Sequence, residues 1–182
     1  MHFEPTGLAG CFVVHLDRHT DERGSFTRLF DADEFAAHGL PSVFVQTSLS
    51  VTNPAGSVRG MHLQRPPHEE VKLVRCVRGA VFDVVLDLRP ASPTRRQWRS
   101  ATLREGDDRL VAIAPGCAHG FQTLTDRADL LYQISTPYAP AFADGVRFDD
   151  PAFGIAWPRP ITTVSSRDRA WPLQPAASLT PS

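Results

Sequence analysis

The 182-residue chain is long enough for one domain with a substantial core, and its hydrophobic share of 42% and charged share of 21% are those of an ordinary globular protein. Its charges nearly cancel, 19 Lys and Arg against 20 Asp and Glu, so no basic excess exists to follow a phosphate backbone and nucleic acid is not an expected partner. No stretch has the length of a membrane span, and Met1–Gly10 does not read as a signal peptide. Cys11, Cys76 and Cys117 are widely spaced and form no C-x-x-C, so a cytoplasmic protein without disulfides or a zinc site is expected. Lysine is rare among the cations, which a GC-rich genome explains at least as well as a need for bidentate phosphate contacts.

In chain order, Cys11–Leu16 is apolar and weakly alternating and predicts a short strand. Asp21–Gly24 is a turn, and beyond it Phe26, Arg28 and Phe30 share one face of a strand. Asp31 followed by Glu34 is a capping-box pattern for a short helix through Phe35–Ala37 that ends at Gly39. Val43–Val51 reads as a strand broken by Asn53-Pro54-Ala55-Gly56, and Val58–Gln64 as an extended segment before the Pro66-Pro67 turn. Lys72–Val77 and Ala80–Leu88 are expected to form a hairpin with Arg78-Gly79 at its tip. In the second of these strands the alternation predicts one buried apolar face and one half-polar face carrying Asp83 and Asp87. Further strands are expected at Gln97–Leu103, Arg109–Ala114, His119–Leu124 and Asp129–Ser135, with a Pro-rich irregular region beyond Pro137. Many short strands and one small helix predict an all-β sandwich or barrel, a single domain over 1–182 with a mobile tail after about residue 173.

The chemistry gathers between Arg59 and Leu88. His62 lies beside Arg59, Gly60 and Gln64, shortly before Lys72. Imidazole is the side chain best matched to proton transfer near neutral pH. His2, His15, His19 and His38 have no such company and read as ordinary surface or core residues. His119 stands in P-G-C-A-H-G-F, and with His62 it is similar to the two signature segments of the cupin superfamily. The first such segment normally supplies H-x-H and a Glu to a metal. Here Gln64 takes the second place, and His68 and Glu69 are poorly spaced to replace it, so no metal is expected. By themselves Tyr132 reads as a core tyrosine, Asp168 as a solvated loop charge, and Arg23 and Arg59 as surface cations.

Taken together, these segments carry a wider likeness. D-E-R-G-S-F at 21–26, V-Q at 45–46, R-G-M-H-L-Q at 59–64, the run from Lys72 to Arg89, P-G-C-A-H-G-F at 115–121, L-Y at 131–132, Y-A-P at 138–140, D-D-P-A-F-G-I-A-W-P at 149–158 and S-S-R-D at 165–168 resemble the dTDP-4-dehydrorhamnose 3,5-epimerase family. The likeness runs in the family's order from about Leu8 to Ala170. It implies an all-β cupin jelly roll with a few short peripheral helices, no metal or other cofactor, and a homodimer. The implied substrate is a nucleotide-diphospho-4-keto-6-deoxyhexose, inverted at C3 and C5. The same resemblance makes His62 the general base, Asp168 the carboxylate that orients it, Tyr132 the acid on the opposite face and Lys72 the cation at the C4 oxygen. It makes His119 a pocket residue, and Arg23, Phe26, Gln46, Arg59 and Tyr138 contacts of the nucleotide or its diphosphate.

The chain departs from the family's usual pattern at Gln46-Thr47-Ser48 (often Q-D-N), at Arg28 (often Glu) and at Leu63 (often Tyr). The nucleotide carried, and whether one or both carbons are inverted, stay open at this level. A C3-only or C5-only epimerase, a ketoisomerase, a metal cupin and a non-catalytic sugar-binding module remain as alternatives.

Overall fold

The computed structural model describes residues 1–174 and is dominated by strands. In chain order these are β1 (His2–Pro5), β2 (Phe12–His15), β3 (Arg18–Asp21), β4 (Gly24–Thr27), β5 (Gln46–Thr52), β6 (Val58–Gln64), β7 (Lys72–Arg78), β8 (Ala80–Asp87), β9 (Trp98–Arg104), β10 (Arg109–Ile113), β11 (Cys117–Thr123), β12 (Ala128–Ile134) and β13 (Ala143–Gly145). Two short α-helices, α1 (Ala32–Ala37) and α2 (Ser166–Arg169), and a single 3₁₀ turn at Pro140–Phe142 complete the set. A six-stranded sheet runs β1-β2-β10-β7-β12-β5, and a five-stranded sheet runs β13-β6-β11-β8-β9. Both are antiparallel, and β3 and β4 stand apart as a two-stranded hairpin. The mobile tail expected after Leu173 begins at Gln174, whose N–H donates to Asp150 Oδ2 at 2.7 Å, and from residue 175 on lies outside the described residues.

The two sheets face each other across a core to which β7, β10 and β12 contribute Val74, Val111, Ile113 and Leu130, and β8, β9 and β11 contribute Val81, Val85, Leu103 and Phe121. This is the jelly-roll layering, with side chains of both inner faces interdigitated. On the outer face of the six-stranded sheet α1 packs over β1, β2, β7 and β10, and its Phe35 is fully buried among Phe3, Val14, Leu73 and Leu110. That helix starts where the sequence places its cap: Asp31 accepts hydrogen bonds from the backbone N–H of Asp33 and Glu34. The outer face of the five-stranded sheet packs Met61, Val84, Leu86 and Ala118 against Val146, Phe153 and Trp157 of the irregular C-terminal region.

The structure departs from sequence expectation in three places. First, β7 and β8 do not form a hairpin. β7 pairs with β10 and β12, β8 with β9 and β11, so the two lie in opposite sheets. A single residue, Gly79, separates them, fewer than the two a tight hairpin loop needs. Its φ of +71° turns the chain at a corner, and a Cβ there would overlap the carbonyl oxygen of Arg127. Second, β8 is covered on both faces. Its all-apolar face packs under the C-terminal segment, and its half-polar face, with Asp83 and Asp87 fully buried, looks into the core. Asp87 is accommodated there by Arg89, Ser92 and Thr94. Third, β4 stops at Thr27 instead of carrying Arg28 and Phe30, β5 begins at Gln46 and not Val43, β13 forms within the region expected to be irregular, and β1, β3 and α2 had no clear signal in the sequence. A short edge strand containing Pro5 and a one-turn helix have too few residues to show a period.

Candidate active site

A cavity of about 460 Å³ opens between the sheets. The five-stranded sheet lines it with Arg59 and His62 of β6 and His119 of β11, and the six-stranded sheet with Gln46 of β5, Lys72 of β7 and Tyr132 of β12. Tyr138 lies at its rim on the loop after β12. Eight of the ten residues singled out in the sequence thus converge on one region: these seven, and Asp168 behind His62. Arg23 and Phe26 do not join them. They sit on the β3–β4 hairpin, where Phe26 is 70% exposed, and they line a separate shallow surface pocket.

The register explains the convergence. His62 and His119 are direct cross-strand partners on β6 and β11. Two glycines let these strands approach: Gly60, at φ +136°, has no room for a side chain, because a Cβ there would lie 2.5 Å from the Cα of Gly120. On the facing sheet, Tyr132 is paired with Val74 and Ser48, and Lys72 with Ile134.

His62 Nε2 lies 2.6 Å from Asp168 Oδ1. Burial alone would raise the carboxyl of Asp168. The hydrogen bond and charge of His62, the Gly60 N–H and the Ser165 hydroxyl outweigh it and hold the group below the usual carboxylate range. An ionised acceptor on Nε2 requires the hydrogen on that nitrogen, which leaves the Nδ1 lone pair as the basic site. Asp168 is held in place because it sits in the first turn of α2, capped by Ser165, whose hydroxyl accepts from the Asp168 N–H at 3.1 Å.

The second histidine is similarly tied. His119 Nε2 is 2.7 Å from Asp83 Oδ2, with both residues buried, and the ring meets Tyr132 edge-on at 5.8 Å between centroids. Burial pushes the Tyr132 phenol well above its ordinary range, Asp83 adds to that effect and Arg59 opposes it, so the hydroxyl stays protonated near neutral pH. Lys72 Nζ donates to the His62 carbonyl at 3.2 Å and pairs with Glu70 at 2.8 Å. Gln46 Oε1 accepts from the Tyr138 N–H at 2.8 Å and so fixes the rim. Chemically, a basic imidazole on one wall faces an ammonium and a protonated phenol on the other. That is equipment for removing a proton from carbon beside a carbonyl, stabilising the enolate and returning a proton from the far side.

Glu70, Asp83 and Arg167 belong to this region and were not singled out in the sequence. Glu70 precedes Lys72 by two residues, the spacing that would put both on one side of an extended segment, and that is the signal that could have found it. Arg167 lines both this cavity and an adjoining one of about 360 Å³ that shares Arg59 and His62. Among the described residues, no three His, Cys, Asp or Glu side chains are grouped as metal ligands would be.

The fold and this site define a jelly-roll isomerase of the cupin class. The sequence profile of the dTDP-4-dehydrorhamnose 3,5-epimerase family matches residues 5–175, and the chain belongs to that family. It is 36% identical over 173 residues to the dTDP-4-dehydrorhamnose 3,5-epimerase of Sinorhizobium fredii, covering 94% of this chain and 89% of the relative. It is 40% identical over 170 residues to the dTDP-4-dehydrorhamnose 3-epimerase of Streptomyces niveus, covering 93% and 82%. Among solved structures it superimposes with a TM-score of 0.90 on NovW, a 4-keto-6-deoxy sugar epimerase from the novobiocin gene cluster of Streptomyces spheroides, at 40% identity, covering 95% of this chain and 87% of that one.

Proposed function

We propose that the chain inverts C3 and C5 of a dTDP-linked 4-keto-6-deoxyhexose. The observation that carries this reading is the division of labour between the sheets: His62 with Asp168 on one wall of the cavity, Lys72 and Tyr132 on the other. His62 takes a proton from a carbon next to the ketone. Lys72 stabilises the enolate oxygen. Tyr132 delivers a proton to the opposite face, and the centre is inverted. Arg59 and Arg167, both on the cavity wall, suit the diphosphate, and Tyr138 and Gln46 suit the nucleotide base. The test is NMR of dTDP-4-keto-6-deoxyglucose in D₂O. Deuterium at both C3 and C5, absent with His62→Ala, supports the reading, and no exchange at either carbon overturns it. The 40% identity to a 3-epimerase favours a second reading, inversion at C3 alone, which deuterium at C3 only would select.

The working unit in this proposal is a homodimer. Arg23 and Phe26 stand on an exposed hairpin outside their own cavity. β5 is a sheet edge on which Leu49 and Val51 are exposed, as is Val45 just before it. An apolar unpaired edge and a projecting arm suit a second copy, whose cavity the arm would complete. Sedimentation as a monomer at working concentration would remove this part. A cytoplasmic location fits Cys11 and Cys117, two thiols 3.8 Å apart that are not joined.

A further inference from the structure

Lys72 is the single lysine of a chain that otherwise carries 18 arginines for its 19 basic residues. It is also buried and in the cavity wall, so its immediate surroundings bear directly on the chemistry. An ammonium has three hydrogens. One goes to the His62 carbonyl at 3.2 Å and one to Glu70 Oε1 at 2.8 Å, which leaves one for a ligand. The Glu70 side chain is only 9% exposed, and its second oxygen accepts from Gln64 Nε2 at 2.6 Å. Gln64 is itself fixed: its other amide hydrogen goes to the His68 carbonyl at 3.0 Å, and its Oε1 accepts from the Ala139 N–H at 2.6 Å. Gln64 stands where a metal cupin would place its second histidine, and here that position anchors a carboxylate. A continuous hydrogen-bonded path therefore runs from Ala139, next to Tyr138, through Gln64 and Glu70, to the Lys72 ammonium.

We propose that Glu70 is the positioning residue of Lys72, holding its ammonium at the sugar end of the cavity with one N–H left for the ketone oxygen. This rests on the epimerase reading above. The physical need is specific to this substrate class. A lysine has a long flexible stem, and a nucleotide diphosphate carries two charges that would draw a lone ammonium away from the carbon chemistry. A fixed carboxylate beside the ammonium opposes that drift. It also supplies the counter-charge that a buried ammonium requires. The enolate then meets a directed hydrogen bond instead of a mobile charge. Gln64 ties this clamp to the Tyr138 loop, so the cation and the nucleotide rim share one scaffold.

Glu70→Gln keeps the shape and removes the charge. The expected result is a fall in kcat for C3 exchange of about 10- to 100-fold, the size of effect that misplacing a catalytic group produces, while KM does not rise. Glu70→Asp retains the charge and should recover part of the loss. A second readout needs no turnover. Protein labelled with [¹⁵Nζ]lysine gives one side-chain signal, because there is one lysine. In the parent its hydrogens should exchange slowly with water, and in Glu70→Gln at least about 10-fold faster, as expected when a buried donor loses its acceptor. Parental kcat together with an unchanged ammonium signal in Glu70→Gln overturns the proposal. So does a fall in kcat that Glu70→Asp does not relieve while the ammonium signal stays parental, since that marks general damage. Failure of the epimerase reading looks different: the parent itself would leave the sugar's C–H bonds unexchanged, and the ammonium comparison would still decide the Glu70 contact.

Discussion

The molecule holds two histidine–aspartate pairs of nearly equal length, 2.6 Å for His62–Asp168 and 2.7 Å for His119–Asp83, and they are built for different ends. The His62 side chain is 43% exposed and that of His119 is 5% exposed, while both carboxylates are buried. His62 therefore has a buried partner behind it and open space in front. His119 is enclosed by its partner, by Phe121 and by the edge of Tyr132. In the proposed mechanism the same pair of groups serves as a base where one ring nitrogen is open to a ligand, and as a strut where the ring is largely enclosed at the cavity wall. Access, more than pairing, separates them. The support differs as well: Asp168 arrives on a one-turn helix far along the chain and is held by Ser165 and Gly60, whereas Asp83 is part of a central strand.

This contrast can be broken at several points. His62→Ala should reduce C3 exchange by about 10²- to 10⁴-fold, the usual worth of a general base, with little change in melting temperature. His119→Ala should do the reverse, costing mainly stability, and an equal loss of activity in the two would erase the distinction. Next, Asp168→Asn should lower kcat by about 10²- to 10⁴-fold by releasing the His62 tautomer. Asp83→Asn should stay within about tenfold in kcat and cost about 1–3 kcal/mol in denaturant unfolding, as for a buried hydrogen-bonded partner lost.

Tyr132 sharpens the comparison, since His119 supports it from the side. Its near-ultraviolet phenolate absorbance, followed in Tyr138→Phe protein so that Tyr132 is the remaining tyrosine, should appear only well above the ordinary range of about pH 10. Titration within the ordinary range would remove the reason for treating it as a standing proton donor. The smallest effect is on acid stability. Asp168 is held below its ordinary value in the folded chain, so its contribution is present above about pH 4 and is lost as pH falls through the folded value. Unfolding free energy measured down to low pH should therefore fall less steeply in Asp168→Asn than in the parent.

Much of the frame is local and could be read from the chain. The break at Asn53–Gly56, the cap at Asp31, the stop at Gly39 and the bounds of β6 follow from residue chemistry within a few positions. Val58–Gln64 was legible as an extended segment because its ends are marked by a Gly-containing break and by Pro66-Pro67. His62 and Lys72 stood out through their neighbours, and the family likeness supplied the partner for His62 that spacing could not.

What the sequence alone determined, then, was where most strands begin and end and which side chains alternate along them, since those depend on backbone preferences and a period of two. Which strand lies beside which was decided only in the tertiary structure. One glycine at a corner sent β7 and β8 into opposite sheets, so Lys72 rises from the sheet that faces the one carrying His62. The buried positions of Asp83, Glu70 and Asp168 were settled in the same way, because a carboxylate is tolerated in the interior only where the fold brings it a partner. Arg23 and Phe26 stayed outside for the complementary reason: their hairpin belongs to neither sheet, so nothing within the described residues draws it over the cavity.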